Sequence, residues 1–86
     1  MKYYVIKLLT NTQGQDASSI SVFPDKDSEG KPIDAHSNAL VAYHNTLATY
    51  HNAEDVLYAV VEIQNEYGNV EIKEIVNHKP APEPEA

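Results

Sequence analysis

The sequence predicts an α+β domain: a four-stranded antiparallel sheet in the order 2-1-3-4, with one helix packed on one of its faces. Short runs rich in β-branched and aromatic residues occur in two pairs, and a polar segment that contains glycine separates the members of each pair. Between the two pairs, apolar residues recur at helical spacing. The predicted element order is therefore β-β-α-β-β.

The first pair of runs predicts a central strand followed by an edge strand. Tyr3 to Thr10 carries apolar side chains at both odd and even positions, which is typical of a strand covered on both faces. The polar segment Asn11 to Ala17 contains Gly14, which can adopt positive φ and close a hairpin. Ser18 to Phe23 is serine-rich and stops at Pro24, as expected of a strand at the edge of a sheet.

The middle of the chain predicts one amphipathic helix from about Asp34 to His51, with Asp34 as its N-cap. At about 100° per residue, five apolar residues share one face of this helix. They are Ala39, Leu40, Tyr43, Leu47 and Tyr50. This stripe is the surface that we expect to lie on the sheet.

The second pair of runs predicts another hairpin. Val56 to Gln64 alternates most clearly and is the second central strand, and Val70 to Asn77 returns beside it. In the returning strand Val70 and Ile72 share one phase, which breaks at Glu74 and Ile75 and predicts a bulge or a frayed end.

One domain, residues 1–78, accounts for these elements. The last eight residues, 79–86, place proline at alternate positions between alanine and glutamate. Such a segment has too little apolar surface to pack, so it predicts a disordered tail.

Composition excludes several classes of protein. The net charge is −7, which should repel a nucleic acid. All six basic residues are lysine, so the chain also lacks the arginines that suit phosphate and base contacts, and it should not bind nucleic acid. It has no cysteine, hence no disulfide and no thiolate metal site. Its apolar runs are too short for a secretory signal or a membrane span. These features predict a cytoplasmic protein that does not enter a membrane.

No residue pattern predicts an enzyme, a metal site or a cofactor. The serines occur outside any Gly-x-Ser-x-Gly turn. His36, His44 and His51 are seven and eight residues apart on the predicted helix, whereas two ligands on one helix must be three or four apart to share an ion. The acidic loop Asp25 to Pro32 begins like a calcium loop, but its twelfth position is His36 and not glutamate.

The sheet face opposite the helix predicts an interaction module. It should expose more apolar surface than a monomer normally leaves in water, and a second copy of the chain is the simplest cover. The alternatives are another protein partner, or the loop or tail of the same chain folded over this face. The candidate interface residues are Tyr3, Val5, Leu9, Val56, Tyr58 and Val60. The expected protein is therefore a homo-oligomer, most simply a dimer.

The alternative hypothesis is a small-ligand-binding protein. Its pocket would lie at the oligomer interface and would be lined by tyrosine and histidine side chains. The candidate residues are His44, His51, Tyr43 and Tyr50.

Three segments carry a resemblance to a group of proteins. They are the opening Lys2 to Lys7, the helical Ala39 to Thr49 with its Ala-Leu-Val-Ala-Tyr-His core, and the turn Asn65-Glu-Tyr-Gly68. The chain resembles short uncharacterised proteins of low-GC Gram-positive bacteria and their prophages. The resemblance implies a bacterial or phage setting and no activity.

Overall fold

The computed structural model describes residues 1–78, and in that range it has four strands and one helix in the predicted order. They are β1 Tyr3–Asn11, β2 Asp16–Phe23, α1 Ala35–Asn52, β3 Val56–Asn65 and β4 Val70–Asn77. The strands form one antiparallel sheet in the order β2-β1-β3-β4, which confirms the predicted topology. The predicted disordered tail, 79–86, lies outside the described residues.

Both hairpins close with the same kind of turn, an Asn followed three residues later by a Gly. The side-chain oxygen of Asn11 accepts hydrogen bonds from the backbone N–H groups of Gln13 and Gln15, and Gly14 has φ +81°. Asn65 makes the equivalent turn in the second hairpin. Because the asparagine side chain satisfies backbone donors inside the loop, each turn fixes the register of the strands that leave it.

The helix begins at the predicted cap. One carboxylate oxygen of Asp34 accepts the backbone N–H of Ser37 at 3.0 Å, and the other accepts the Ser37 hydroxyl at 2.8 Å. The buried residues of α1 recur every four positions and form one stripe against the sheet; they are Ala35, Ala39, Tyr43 and Leu47. Of the other predicted stripe residues, Leu40 and Tyr50 pack at its margin.

The core lies between α1 and one face of the sheet. Its strand residues are Val5 from β1, Val56 and three alternate residues of β3, and Val76 from β4. The three alternate residues are Ala59, Val61 and Ile63. The β1–β3 register places Val5 opposite Ile63, so the two central strands present the same face to the helix.

Two bulges change which side chains share a face. Between β1 and β3 the partner of Thr10 is Tyr58, but the partner of Asn11 is Val56, so Leu57 is an extra residue. Between β3 and β4 the extra residue is Glu71. The sequence predicted a phase break at Glu74 and Ile75, and it predicted Val70 and Ile72 on one face. That prediction was wrong, because the bulge at Glu71 places these two residues on opposite faces.

Candidate functional site: the open face of the sheet

The face of the sheet that α1 does not cover is called the open face here. Alternate residues of each strand, adjusted for the two bulges, define it. They are Tyr4, Ile6, Leu8 and Thr10 of β1; Asp16, Ser18, Ile20 and Val22 of β2; Tyr58, Val60, Glu62 and Gln64 of β3; and Val70, Lys73, Ile75 and Asn77 of β4.

The six predicted interface residues do not share this face. Tyr58 and Val60 lie on it. Val5 is buried under the helix, and Tyr3 and Leu9 pack against the same core. Val56 is also buried there, because the bulge at Leu57 turns it to the opposite side from Tyr58. The prediction that these residues form one surface was therefore wrong; the side chains that accompany Tyr58 belong to the even-numbered residues of β1.

An apolar band crosses the open face from β2 to β4. Large hydrophobic side chains remain exposed on three of the strands: Leu8 by 47%, Ile20 by 64%, Val22 by 56%, Val70 by 49% and Ile75 by 58%. The cross-strand register joins Leu8 to Ile75 through Val60, and it places Ile20 beside Ile6 and Val22 beside Tyr4. A contiguous patch of this kind marks an interaction site more often than scattered surface hydrophobics do.

Charge is nearly absent from the same surface. Among its sixteen residues only Asp16, Glu62 and Lys73 are charged, for a sum of −2 + 1 = −1, whereas the whole chain carries −7. Glu62 and Lys73 are direct cross-strand partners. Asp16 accepts a hydrogen bond of 2.6 Å from the hydroxyl of Thr10. Asp16 is therefore hydrogen-bonded within the chain, and Glu62 accepts a hydrogen bond of 3.0 Å from the side-chain amide of Gln64 on the same face.

One end of the open face is concave. A shallow depression of about 340 Å³ lies between β1, β2 and β3 at the end next to the first hairpin turn. Its lining residues on the open face include Leu8, Ser18, Tyr58 and Val60, and the Thr10–Asp16 pair forms its polar side. The depression has the size of one or two large side chains, so it can receive a protruding group from a partner.

The structure separates the four residues of the alternative pocket. Tyr43 is buried in the core, and the ring of His44 lies 5.1 Å from it but is exposed to solvent. The ring of His51 lies 6.4 Å from that of His78 at the end of the helix. Tyr50 instead lines a depression between helix and sheet with Lys7. These four side chains do not surround a common void in the described chain.

Burial raises the pKa of Tyr43 and of Tyr50 above the usual tyrosine value. For Tyr43 the charge of Glu74 contributes a smaller increase in the same direction. Both hydroxyls therefore stay protonated at neutral pH, and neither is poised as a base.

The sequence did not predict a polar cluster at the start of the helix. The rings of Tyr3 and His36 lie 5.0 Å apart, and Nε2 of His36 lies 3.7 Å from Oε1 of Glu71. Burial raises the pKa of Tyr3, and the charge of Glu71 and a hydrogen bond to it raise that pKa further. Glu71 reaches this cluster because it is the bulged residue of β4.

This cluster is open to solvent, since the His36 side chain is 47% exposed. The described residues contain no group of three or more His, Cys, Asp or Glu side chains arranged to hold a metal ion. What the geometry supports is a local network that ties the start of β1 and the start of the helix to β4.

Replacing Glu71 by Gln is expected to lower the pKa of Tyr3 toward the ordinary tyrosine value without reaching it, because burial, the largest cause, remains. The titration is followed through the ring Cζ signal of Tyr3 by NMR. Glu66→Gln is the control, since Glu66 acts on Tyr3 through charge alone and is the smallest of the causes. A shift in Glu66→Gln as large as that in Glu71→Gln would contradict the Tyr3–Glu71 contact.

The same pKa shifts predict how stability depends on alkaline pH. A pKa that is higher in the folded state favours the neutral phenol there, so the stabilisation is complete below the ordinary value of about 10 and is lost as the pH rises through the raised values. Tyr3, Tyr43 and Tyr50 act in this same direction.

No protein-family model matches this chain, and no match was found among curated proteins or solved structures. Among the described residues, no helix has the length and apolar character needed to cross a membrane. The class defined by fold and site is therefore an α+β domain with one covered and one open sheet face.

Proposed function

We propose that this chain is a non-enzymatic protein–protein interaction module that self-associates by packing its open face against the open face of a second copy. The observation that carries the proposal is the apolar surface of that face, with its five large hydrophobic side chains about half or more exposed. A cytoplasmic location, in keeping with the absence of cysteine, and a phage-related origin, in keeping with the sequence resemblance, belong to the same proposal.

The size of the open face supports this proposal. Three inter-strand spacings of about 4.8 Å and seven residues of about 3.3 Å give a backbone surface of roughly 14 by 23 Å. Side chains extend past the outer strands, so two opposed faces would bury on the order of 1,000 Å², which lies toward the lower end of specific interfaces. The depression beside Tyr58 gives a projecting side chain of the second copy a place to insert.

Charge supports a second copy as the occupant. Two chains that each carry −7 repel one another over most of their surfaces, and contact is least costly where charge is nearly absent. A two-fold axis through an isologous interface also allows Glu62 of each copy to approach Lys73 of the other. A basic partner would find no matching acidic surface on this face.

The test is the molar mass of the full chain in solution, measured by light scattering behind a size-exclusion column over a hundredfold range of protein concentration. The expected result is a molar mass that corresponds to two chains or to a larger even number of chains. This mass should fall as the protein is diluted. A mass of one chain at the highest concentration would overturn the proposal.

A further inference from the structure

The two edge strands of the sheet differ in how they are protected against pairing with another strand. Edge strands in monomeric proteins usually carry charges, prolines or bulges that prevent such pairing. β4 has two of these protective features: a bulge at Glu71, and the charged residues Lys73 and Glu74 in its middle. β2 has seven consecutive residues, from Ala17 to Phe23, with neither a charge nor a proline. It pairs with β1 without a register shift.

The backbone groups that β2 presents at its outer edge follow from the hairpin turn. The N–H of Asn11 donates to the carbonyl of Gln15 at 2.9 Å, so this pair closes the ladder with its hydrogen bonds pointing inward. In an antiparallel ladder, hydrogen-bonded and non-hydrogen-bonded pairs alternate. The residues of β2 that bond to β1 are therefore the odd-numbered ones, and the N–H and C=O groups of Ser18, Ile20 and Val22 point away from the sheet.

We propose that the β2 strands of two copies pair in an antiparallel arrangement about a two-fold axis at Ile20. Ile20 then lies opposite Ile20 of the second copy, and Ser18 lies opposite Val22. All three pairs use outward-pointing backbone groups, which gives about six new hydrogen bonds. Asp16 lies opposite Pro24, so no like charges meet. The same operation on β4 about Lys73 would place lysine against lysine, which is destabilising in a directly opposed pair.

Pairing of this kind goes beyond the proposed function because it uses the backbone of the sheet edge and not the side chains of the open face. It would join two four-stranded sheets into one of eight strands, with Ile20 and Val22 at its centre. Two such sheets stacked through their open faces contain four chains. Each contact can be broken without breaking the other, so the two proposals can fail separately.

Disulfide trapping tests the pairing, and the absence of native cysteine leaves no competing thiol. In the paired state the two Cα atoms of residue 20 lie about 5.5 Å apart, inside the range that a disulfide spans. Ile20→Cys is therefore expected to convert most of the chain to a covalent dimer under mild oxidation by oxidised glutathione. Ser18→Cys is the matched control on the same strand. Its two Cα atoms would be about 14 Å apart along antiparallel strands, too far for a disulfide.

Two further measurements decide the remaining outcomes. The first is cross-linking of the double variant Ile20→Cys, Leu8→Lys, in which the lysine disables the open face. This variant should still form the covalent dimer. Loss of cross-linking in the double variant would assign the contact to the open face and overturn the edge pairing. In the unmodified chain, hydrogen exchange of the Ser18, Ile20 and Val22 amides should slow by at least tenfold as concentration rises. Equal cross-linking of both cysteine variants, or unchanged exchange at these amides, would also overturn it.

Discussion

Replacing Tyr43 by Ala is expected to remove about 3 to 5 kcal/mol from the free energy of unfolding. Tyr43 is 1% exposed and is the largest fully buried side chain of the described domain. It lies midway along the buried stripe of α1, between Ala39 and Leu47, and fills the space between helix and sheet. Small domains have only about 5 to 15 kcal/mol of stability, so this one change removes about a fifth of it or more.

Urea denaturation followed by circular dichroism measures that loss, and two variants act as controls. Tyr43→Phe keeps the ring and its packing, and we expect it to cost less than about 1.5 kcal/mol, as volume-conserving changes do. Tyr67→Ala removes the same side chain at a turn where it is 74% exposed, so the unfolding free energy should change by about 0.5 kcal/mol or less. Equal losses in Tyr43→Ala and Tyr67→Ala would contradict the described docking of the helix.

The order of elements and the order of strands could be predicted because their signals are local. Gly14 and Gly68 follow an asparagine at the same spacing, and both lie in hairpin turns with positive φ. Asp34 caps the helix through its carboxylate, as its position ahead of the apolar stripe indicated. Strand order followed from one further step, since the two most apolar strands belong at the centre of a sheet.

The assignment of residues to faces could not be predicted, and β1 shows why. Its odd-numbered and even-numbered residues are almost equally apolar, so periodicity alone cannot say which set the helix covers. The odd set, with Val5 fully buried, lies under α1, and the even set, with Leu8 about half exposed, faces outward. The choice depends on how the helix docks, which is a tertiary property.

The two bulges are the reason that the rest of the site could not be predicted from the sequence. A single extra residue at Leu57 separates Val56 from Tyr58, and one at Glu71 turns that carboxylate toward Tyr3 and His36. No glycine or proline marks either position. The broken alternation late in β4 was the only signal, and it pointed to Glu74 and Ile75, a few residues beyond the actual bulge.

Leu8→Lys is expected to halve the mass of the assembly at a fixed protein concentration. Leu8 lies in the middle of the open face, where it pairs with Ser18 on one side and Val60 on the other. In the free chain it is 47% exposed, so a lysine there reaches water and the fold is retained. Between two packed faces the ammonium would be buried without a partner, at a cost of about 3 to 5 kcal/mol. That cost weakens the face contact by about 10²- to 10⁴-fold.

The matched control is Val41→Lys, which makes a similar change on the side of the helix that faces solvent. Val41 is 60% exposed and does not belong to the open face, so the mass should equal that of the unsubstituted chain. Light scattering at equal concentrations compares the three proteins, and circular dichroism establishes that each is folded. If Val41→Lys halves the mass while Leu8→Lys leaves it unchanged, the contact lies on the helix and the open face is not the site of self-association. If Leu8→Lys alone halves it, the side chains of the open face hold the copies together.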